Sequence, residues 1–225
     1  MNKVTKPSMR PLIHGDILKR ANLFRWIREF IEAQGMTPGY YMEFGLLNGE
    51  CMIDAYRQFR GLLSHYYGFD SFEGLPDLSP DDEQAANLTP TFHKGNFASM
   101  QVEYVQQTIL SSCRMAPDEL SLVKGLFNES LPKFPKDSLP SQGAPLVVYI
   151  DCDLYSSTVD VLQFIDGLVT TGTWVLFDDY WCYRGSPQAG EQRAIREWMD
   201  DNKRIGLQPY GNFEGWGRAF IVYEK

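Results

Sequence analysis

Histidine is scarce in this chain. Its 225 residues include three, His14, His65 and His93, and four cysteines, Cys51, Cys113, Cys152 and Cys182. No two cysteines share a zinc-ligand spacing, and a catalytic thiol has few imidazoles to draw on. The thiols read as reduced side chains of a cytoplasmic protein. A basic surplus is also missing: 29 acidic against 21 basic residues give a formal charge of −8. Nucleic acid and anionic membrane surfaces select for the opposite sign, so neither is expected as a partner. Long apolar runs are absent too. The longest, residues 146–150 and 174–177, fall far short of the roughly 20 residues that cross a bilayer. Residues 1–10 lack the apolar stretch of a secretory signal.

What is present is a globular composition. With 44% hydrophobic and 22% charged residues, the chain can bury a core and is neither disordered nor a coiled coil. Its length sits near the upper end for one compact domain, and no boundary or repeat interrupts it. A single domain over 1–225 is expected, with residues 1–39 as an N-terminal helical extension.

Apolar residues at helical spacing mark a helix over 16–34: Ile17, Leu18, Ala21, Phe24, Ile27, Phe30 and Ile31. Asp16 can cap it, and Gly35 with Pro38 ends it. Further helices are expected at 50–59, 99–110, 156–168 (capped by Ser156 or Ser157) and 191–202. Strands are expected at 40–44, 65–69, 120–124, 146–150, 173–177, 205–210 and 219–223. The uninterrupted apolar runs at 146–150 and 173–177 belong to strands buried on both faces. Residues 71–98, rich in proline and acid, read as a long loop with one short helix, too polar for a core. A loop of that length is usually functional or disordered, and a mobile lid is expected here. The alternation implies an α/β fold, a seven-stranded, mostly parallel sheet with an antiparallel C-terminal pair. That is similar to the Rossmann-like layout of class I methyltransferases.

Three constellations carry chemistry. In the first, Glu43-Phe44-Gly45 to Gly49, a strand runs through a glycine turn into a helix. Gly45 admits close approach of a ligand, and a helix start offers free N–H groups. A plain structural turn has the same pattern. The second is Asp70, at the end of the next strand. Nucleoside-binding α/β folds place an acid there to accept both ribose hydroxyls; a solvated turn acid is the alternative. In the third, strand 146–150 ends in Asp151-Cys152-Asp153 and strand 173–177 ends in Asp178-Asp179. As neighbours, these strands bring Asp151, Asp178 and Asp179 to the ligand-binding edge. Such carboxylates repel unless protonated or bridged by a cation. Oxygen-only donors select Mg²⁺, with Mn²⁺ or Ca²⁺ as alternatives. Asp153 is a further candidate, although alternation turns it away from Asp151 if the strand persists. Acids that merely cap the next helices would leave the same trace.

The ordered motifs resemble those of the macrocin-type O-methyltransferases of antibiotic sugar tailoring. They are Glu43-Phe44-Gly45, Asp70-Ser71-Phe72-Glu73-Gly74-Leu75-Pro76, Gly125-Leu126-Phe127 with Ser130-Leu131-Pro132, Asp151-Cys152-Asp153-Leu154-Tyr155-Ser156-Ser157-Thr158 and Asp178-Asp179-Tyr180. The resemblance implies an S-adenosylmethionine-dependent enzyme with Mg²⁺ as a second cofactor and a small-molecule hydroxyl, in a sugar or sugar-bearing compound, as acceptor. Asp151, Asp178 and Asp179 would ligate the metal, and Asp151 would double as the base. Glu43, Gly45, Asp70, Ser71, Phe72, Asn96, Phe97, Ser99 and Leu126 would line the methyl donor. Assembly into a homo-oligomer through the 16–34 helix is also implied. Leu126 stands where the family has tryptophan, Cys152 where it has glycine, and the match fades beyond Tyr180. Catechol-type relatives carry a lysine three residues after the first aspartate; Leu154 stands there, which favours an aliphatic hydroxyl. Two rivals use the same residues. A nucleotide-sugar glycosyltransferase could hold its metal with Asp151-Cys152-Asp153, and a binding module could keep the fold without turnover.

Overall fold

The computed structural model describes residues 18–36, 38–141 and 143–225. Five strands run parallel: β1 (Gly39–Phe44), β2 (Tyr66–Asp70), β3 (Leu120–Lys124), β4 (Ala144–Ile150) and β5 (Trp174–Phe177). An antiparallel pair, β6 (Ile205–Phe213) and β7 (Gly217–Glu224), closes the sheet against β5. The order is β3-β2-β1-β4-β5-β7-β6. The chain reverses its direction of travel between β1 and β4, and ligands of such sheets bind beyond the strand ends at that point.

Both faces of the central strands are buried, which accounts for their unbroken apolar sequence. On one face Tyr41, Tyr66, Tyr149 and Trp174 pack under α1 (Arg20–Gln34), α2 (Glu50–Phe59) and, further along the chain, a helix over Val102–Cys113. On the other, Phe44, Val148, Ile150 and Phe177 pack under two helices over Tyr155–Ile165 and Gly190–Asp201. Counting a short helix α3 (Pro80–Ala85) and another, α5 (Phe127–Ser130), these are α4, α6 and α7. No helix among the described residues is long and apolar enough to cross a membrane.

The expected elements differ from the observed ones in a few places. α1 starts at Arg20, and Asp16 and Ile17 lie outside the described residues. Its apolar side, Leu23, Phe24, Ile27 and Ile31, is turned into the chain's own core, so contact with another copy would have to use the outer, polar side. β6 runs on through Pro209 to Phe213 with a bulge, which an edge strand tolerates because its proline needs no ladder partner. Residues 71–98 are not uniformly solvated. Ala85 and Phe92 are buried with Leu154, Tyr183 and Ala189 in a small third core. Sparse apolar residues without periodicity concealed this packing.

Candidate active site

Parallel register brings five strand ends level. Phe44 pairs with Phe69 and with Ile150, Ile150 with Phe177, and Asp70 with Lys124. The residues that follow therefore share one edge of the sheet. Gly45 leaves β1 with φ 89°, and a Cβ there would lie 1.9 Å from the Asp151 carbonyl oxygen. Only glycine fits that close approach, so the turn and the acids at the end of β4 are built against one another.

Asp70 is the clasp of the turn. Its Oδ2 accepts the N–H groups of Leu46 at 2.7 Å and Leu47 at 3.1 Å. Its Oδ1 accepts Phe72 N–H at 2.6 Å. Leu47 and Phe72 both have positive φ, 49° and 56°, conformations that non-glycine residues adopt only when held. One carboxylate thus holds two strained loops at the mouth of the edge.

The acids beyond β4 and β5 converge, with a change of membership. One oxygen each from Asp151, Asp153 and Asp179 lies within 4.8 Å of the others. The strand does not persist past Ile150: Leu154 N–H bonds back to Cys152 C=O at 2.6 Å, and Asp153 has φ 60°. That left-handed turn, which aspartate tolerates, swings Asp153 toward Asp151 instead of away from it. Asp178 is held otherwise, since the Tyr149 hydroxyl donates to its Oδ1. It still borders the cavity described below. Burial first, and then neighbouring acids, raise Asp151 and Asp153 well above the usual carboxylate range. Asp179 is pushed up to about 6 by burial and by Asp178. Asp179 Oδ2 is buried without a hydrogen-bond partner.

A single cavity of about 670 Å³ joins Gly45 and Asp70 to these acids. Of the residues expected to line it, Ser71, Phe97 and Leu126 do so. Glu43, Phe72, Asn96 and Ser99 are not among its lining residues. Glu43 is fully buried on the β1 face that also carries Tyr41, whose hydroxyl donates to Glu43 Oε2 at 2.6 Å. Phe72 packs into the core, and the Asn96 amide donates to Thr91 C=O at 2.7 Å. Ser99 is half-buried, its hydroxyl donating to Met100 C=O at 3.1 Å. Sequence reasoning missed Glu191 on α7, whose Oε2 accepts Asp179 N–H at 3.0 Å. A signal was available: Glu191, Ala194, Ile195 and Trp198 form one stripe at helical spacing, and an acid on an apolar stripe is out of place.

The 71–98 segment reaches the site through Asp82, which is 2% exposed. Its Oδ1 accepts Tyr155 N–H at 2.9 Å and lies 3.4 Å from Ser156 N. α6 therefore begins at Tyr155 under a cap from elsewhere in the chain, and the expected caps Ser156 and Ser157 lie inside it. Asp82→Ala should cost about 1–2 kcal/mol, as loss of a helix cap does. A fall in Tm of roughly 2–8 °C by calorimetry would bear this out; an unchanged Tm would show that the cap contributes nothing.

These strand ends and their order find counterparts among known proteins. The family model described as macrocin-O-methyltransferase (TylF) matches residues 15–205. The 8-demethyl-8-(2,3-dimethoxy-alpha-L-rhamnosyl)-tetracenomycin-C 4′-O-methyltransferase of Streptomyces olivaceus is 28% identical over 72% of this chain and 60% of its own length. The demethyldecarbamoylnovobiocin O-methyltransferase of Streptomyces niveus is 28% identical over 64% of this chain and 53% of its own. The chain thus spans less than two thirds of either relative. The crystal structure of the calicheamicin methyltransferase CalS11 superposes with a TM-score of 0.68 at 22% identity, covering 89% of this chain and 79% of that one, which establishes the class I methyltransferase fold. With the family match running through every strand end described above, the chain belongs to the macrocin-O-methyltransferase (TylF) family.

Proposed function

We propose that this chain moves the methyl group of S-adenosylmethionine to a hydroxyl of a sugar or sugar-bearing small molecule, assisted by a divalent cation. The observation that carries the reading is continuity: one cavity runs from the Gly45–Asp70 clasp to the acid cluster. A donor at the clasp and an acceptor over the acids would share one continuous space, as an in-line displacement requires. One relative is a 4′-O-methyltransferase of a rhamnosyl tetracenomycin, and the reading extends that class of acceptor to this chain.

The residues fit both groups. Asp151, Asp153 and Asp179 form an oxygen-only set with a partnerless oxygen on Asp179, which suits Mg²⁺ better than a softer metal. Bound there, the cation would supply Lewis acidity that makes an aliphatic hydroxyl easier to deprotonate. Asp151, between the clasp and the other acids, accepts the hydroxyl proton as general base. Asp153 and Asp179 hold the charge opposite it, and Asp178, tethered by Tyr149, adds to the negative field. Asp70 binds the donor's ribose edge while keeping the glycine turn closed. Phe92, Phe97, Leu126 and Leu75 line the cavity and exclude water. Residues 71–98 act as its lid, closing over bound substrates.

The test is transfer of a radiolabelled methyl group from S-adenosylmethionine to a panel of glycosylated acceptors, with and without EDTA. Transfer should require Mg²⁺, fall at least about 100-fold on chelation and return when Mg²⁺ is restored. Full-rate methylation after chelation would remove the cation from the reading. Failure to bind S-adenosylhomocysteine in calorimetry would remove the activity.

A further inference from the structure

Glu191 is a buried acid for which the mechanism above has no use. It lies in the first turn of α7 and is 1% exposed. Its Oε2 accepts Asp179 N–H, and its Oε1 is buried without a partner. The field of a helix start favours an acid at this place only weakly, far less than burying an unpaired carboxylate oxygen disfavours it. A glutamine would accept the same N–H without bringing a charge. A residue needed only to pin the loop to α7 has no reason to be an acid.

The surroundings supply a reason. Every polar group of Asp179 except one has a partner in this loop or on α7. Its N–H goes to Glu191, its C=O accepts Cys182 N–H at 2.9 Å, and its Oδ1 accepts the Cys182 thiol at 3.2 Å. Oδ2 alone is left over, buried and without a partner. Glu191 therefore fixes the peptide that carries the one unsatisfied oxygen. Burial first, and then the charges of Asp179, Asp151, Asp178 and Asp153, hold the Glu191 carboxyl well above the usual carboxylate range, so it lies within the field of the acid cluster and its ionised form needs a positive charge nearby. Two partnerless carboxylate oxygens, on Glu191 and on Asp179, are accounted for together if a positive charge occupies the cluster.

We infer that Glu191 is a positioning residue of the cation centre: it locks the Asp179 peptide so that Oδ2 faces Asp151 and Asp153, and it adds negative charge that a bound cation compensates. The inference rests on the cation reading of the acid cluster given above. Groups that orient metal ligands without touching the metal typically govern affinity 10- to 100-fold.

Direct Mn²⁺ binding, followed by the paramagnetic resonance signal of free Mn²⁺, tests it without any turnover. S-adenosylhomocysteine affinity is measured by calorimetry on the same samples. Glu191→Gln keeps an oxygen for Asp179 N–H and removes the charge; Glu191→Ala removes both. Mn²⁺ affinity should fall roughly 10-fold in the first and roughly 100-fold in the second. S-adenosylhomocysteine affinity should stay within about twofold in each, because the clasp lies on other strands. Wild-type Mn²⁺ affinity in both variants overturns the inference. Parallel loss of both ligands overturns it too, since a general structural role moves both. Asp179→Asn is the control. If it abolishes Mn²⁺ binding while the Glu191 variants bind normally, only the inference about Glu191 fails. If the wild-type protein binds no Mn²⁺, the cation reading fails and takes this inference with it. Should Glu191→Ala not fold, Glu191→Gln decides alone.

Discussion

Asp151→Asn should leave a folded protein that binds S-adenosylhomocysteine normally and transfers methyl groups about 10²–10⁴-fold more slowly, the range for loss of a general base. The backbone at this position does structural work that the substitution spares. Asp151 N–H donates to Phe44 C=O at 2.8 Å, and its carbonyl sits where a Cβ on Gly45 would lie. The side chain has the opposite role. It lies half-buried among Asp178, Asp179 and Asp153, and loss of solvent first, then their charges, raise its pKa well above the usual carboxylate range. Replacing one of several repelling carboxylates with a neutral amide relieves that repulsion. Without added metal, the variant should therefore melt no lower than the wild type. The rise in Tm that Mg²⁺ gives the wild type, by preferential binding to the folded chain, should shrink or vanish. Activity near the wild-type level would dismiss Asp151 as the base. A collapse of S-adenosylhomocysteine affinity would show that the donor and cation parts of the cavity are not separable.

The strand ends are legible in the sequence because burial on both faces leaves a clear trace. In an α/β chain, an apolar run followed at once by an acid, as in Ile150-Asp151 or Phe177-Asp178, marks a buried strand leaving the sheet at its carboxyl edge. Register does the rest, since parallel neighbours end level. What escaped was set by backbone turns and by contacts distant in sequence. Asp153, a further candidate in the sequence, joins the cluster because it is itself left-handed, three positions past β4, and nothing in Asp-Cys-Asp announces that turn. Asp82 sits in an acidic run that looks solvated, yet it caps a helix 73 residues away. Glu191 reaches Asp179 across a loop whose composition gives no sign of the contact. Glu43 shows the converse: the motif is right for a glycine turn, but strand alternation sends the side chain into the sheet's other face, beside Tyr41. The motif located the turn without identifying which of its side chains faces the cavity.

Asp70→Ala should weaken S-adenosylhomocysteine binding by about 1–3 kcal/mol, roughly 5- to 150-fold in Kd. Two losses combine. On the proposed reading the donor's ribose would lose its acceptor, and three backbone N–H groups, of Leu46, Leu47 and Phe72, lose theirs. With Leu47 and Phe72 at positive φ, freeing them lets both loops relax away from the geometry that faces the cavity. Asp70→Asn separates the contributions, because its amide oxygen can accept N–H groups on one side only. Its affinity should fall between those of wild type and Asp70→Ala. Direct Mn²⁺ binding should be unchanged in both variants, since the acids follow β4 and β5 and Asp70 ends β2. The pattern is then the mirror image of Asp151→Asn: donor affinity lost, cation affinity kept. Unchanged S-adenosylhomocysteine affinity in Asp70→Ala would remove Asp70 from the donor site and leave it a clasp for the turn. Mn²⁺ affinity lost along with it would mean that the clasp orders the whole edge of the sheet, and that the two halves of the cavity act as one.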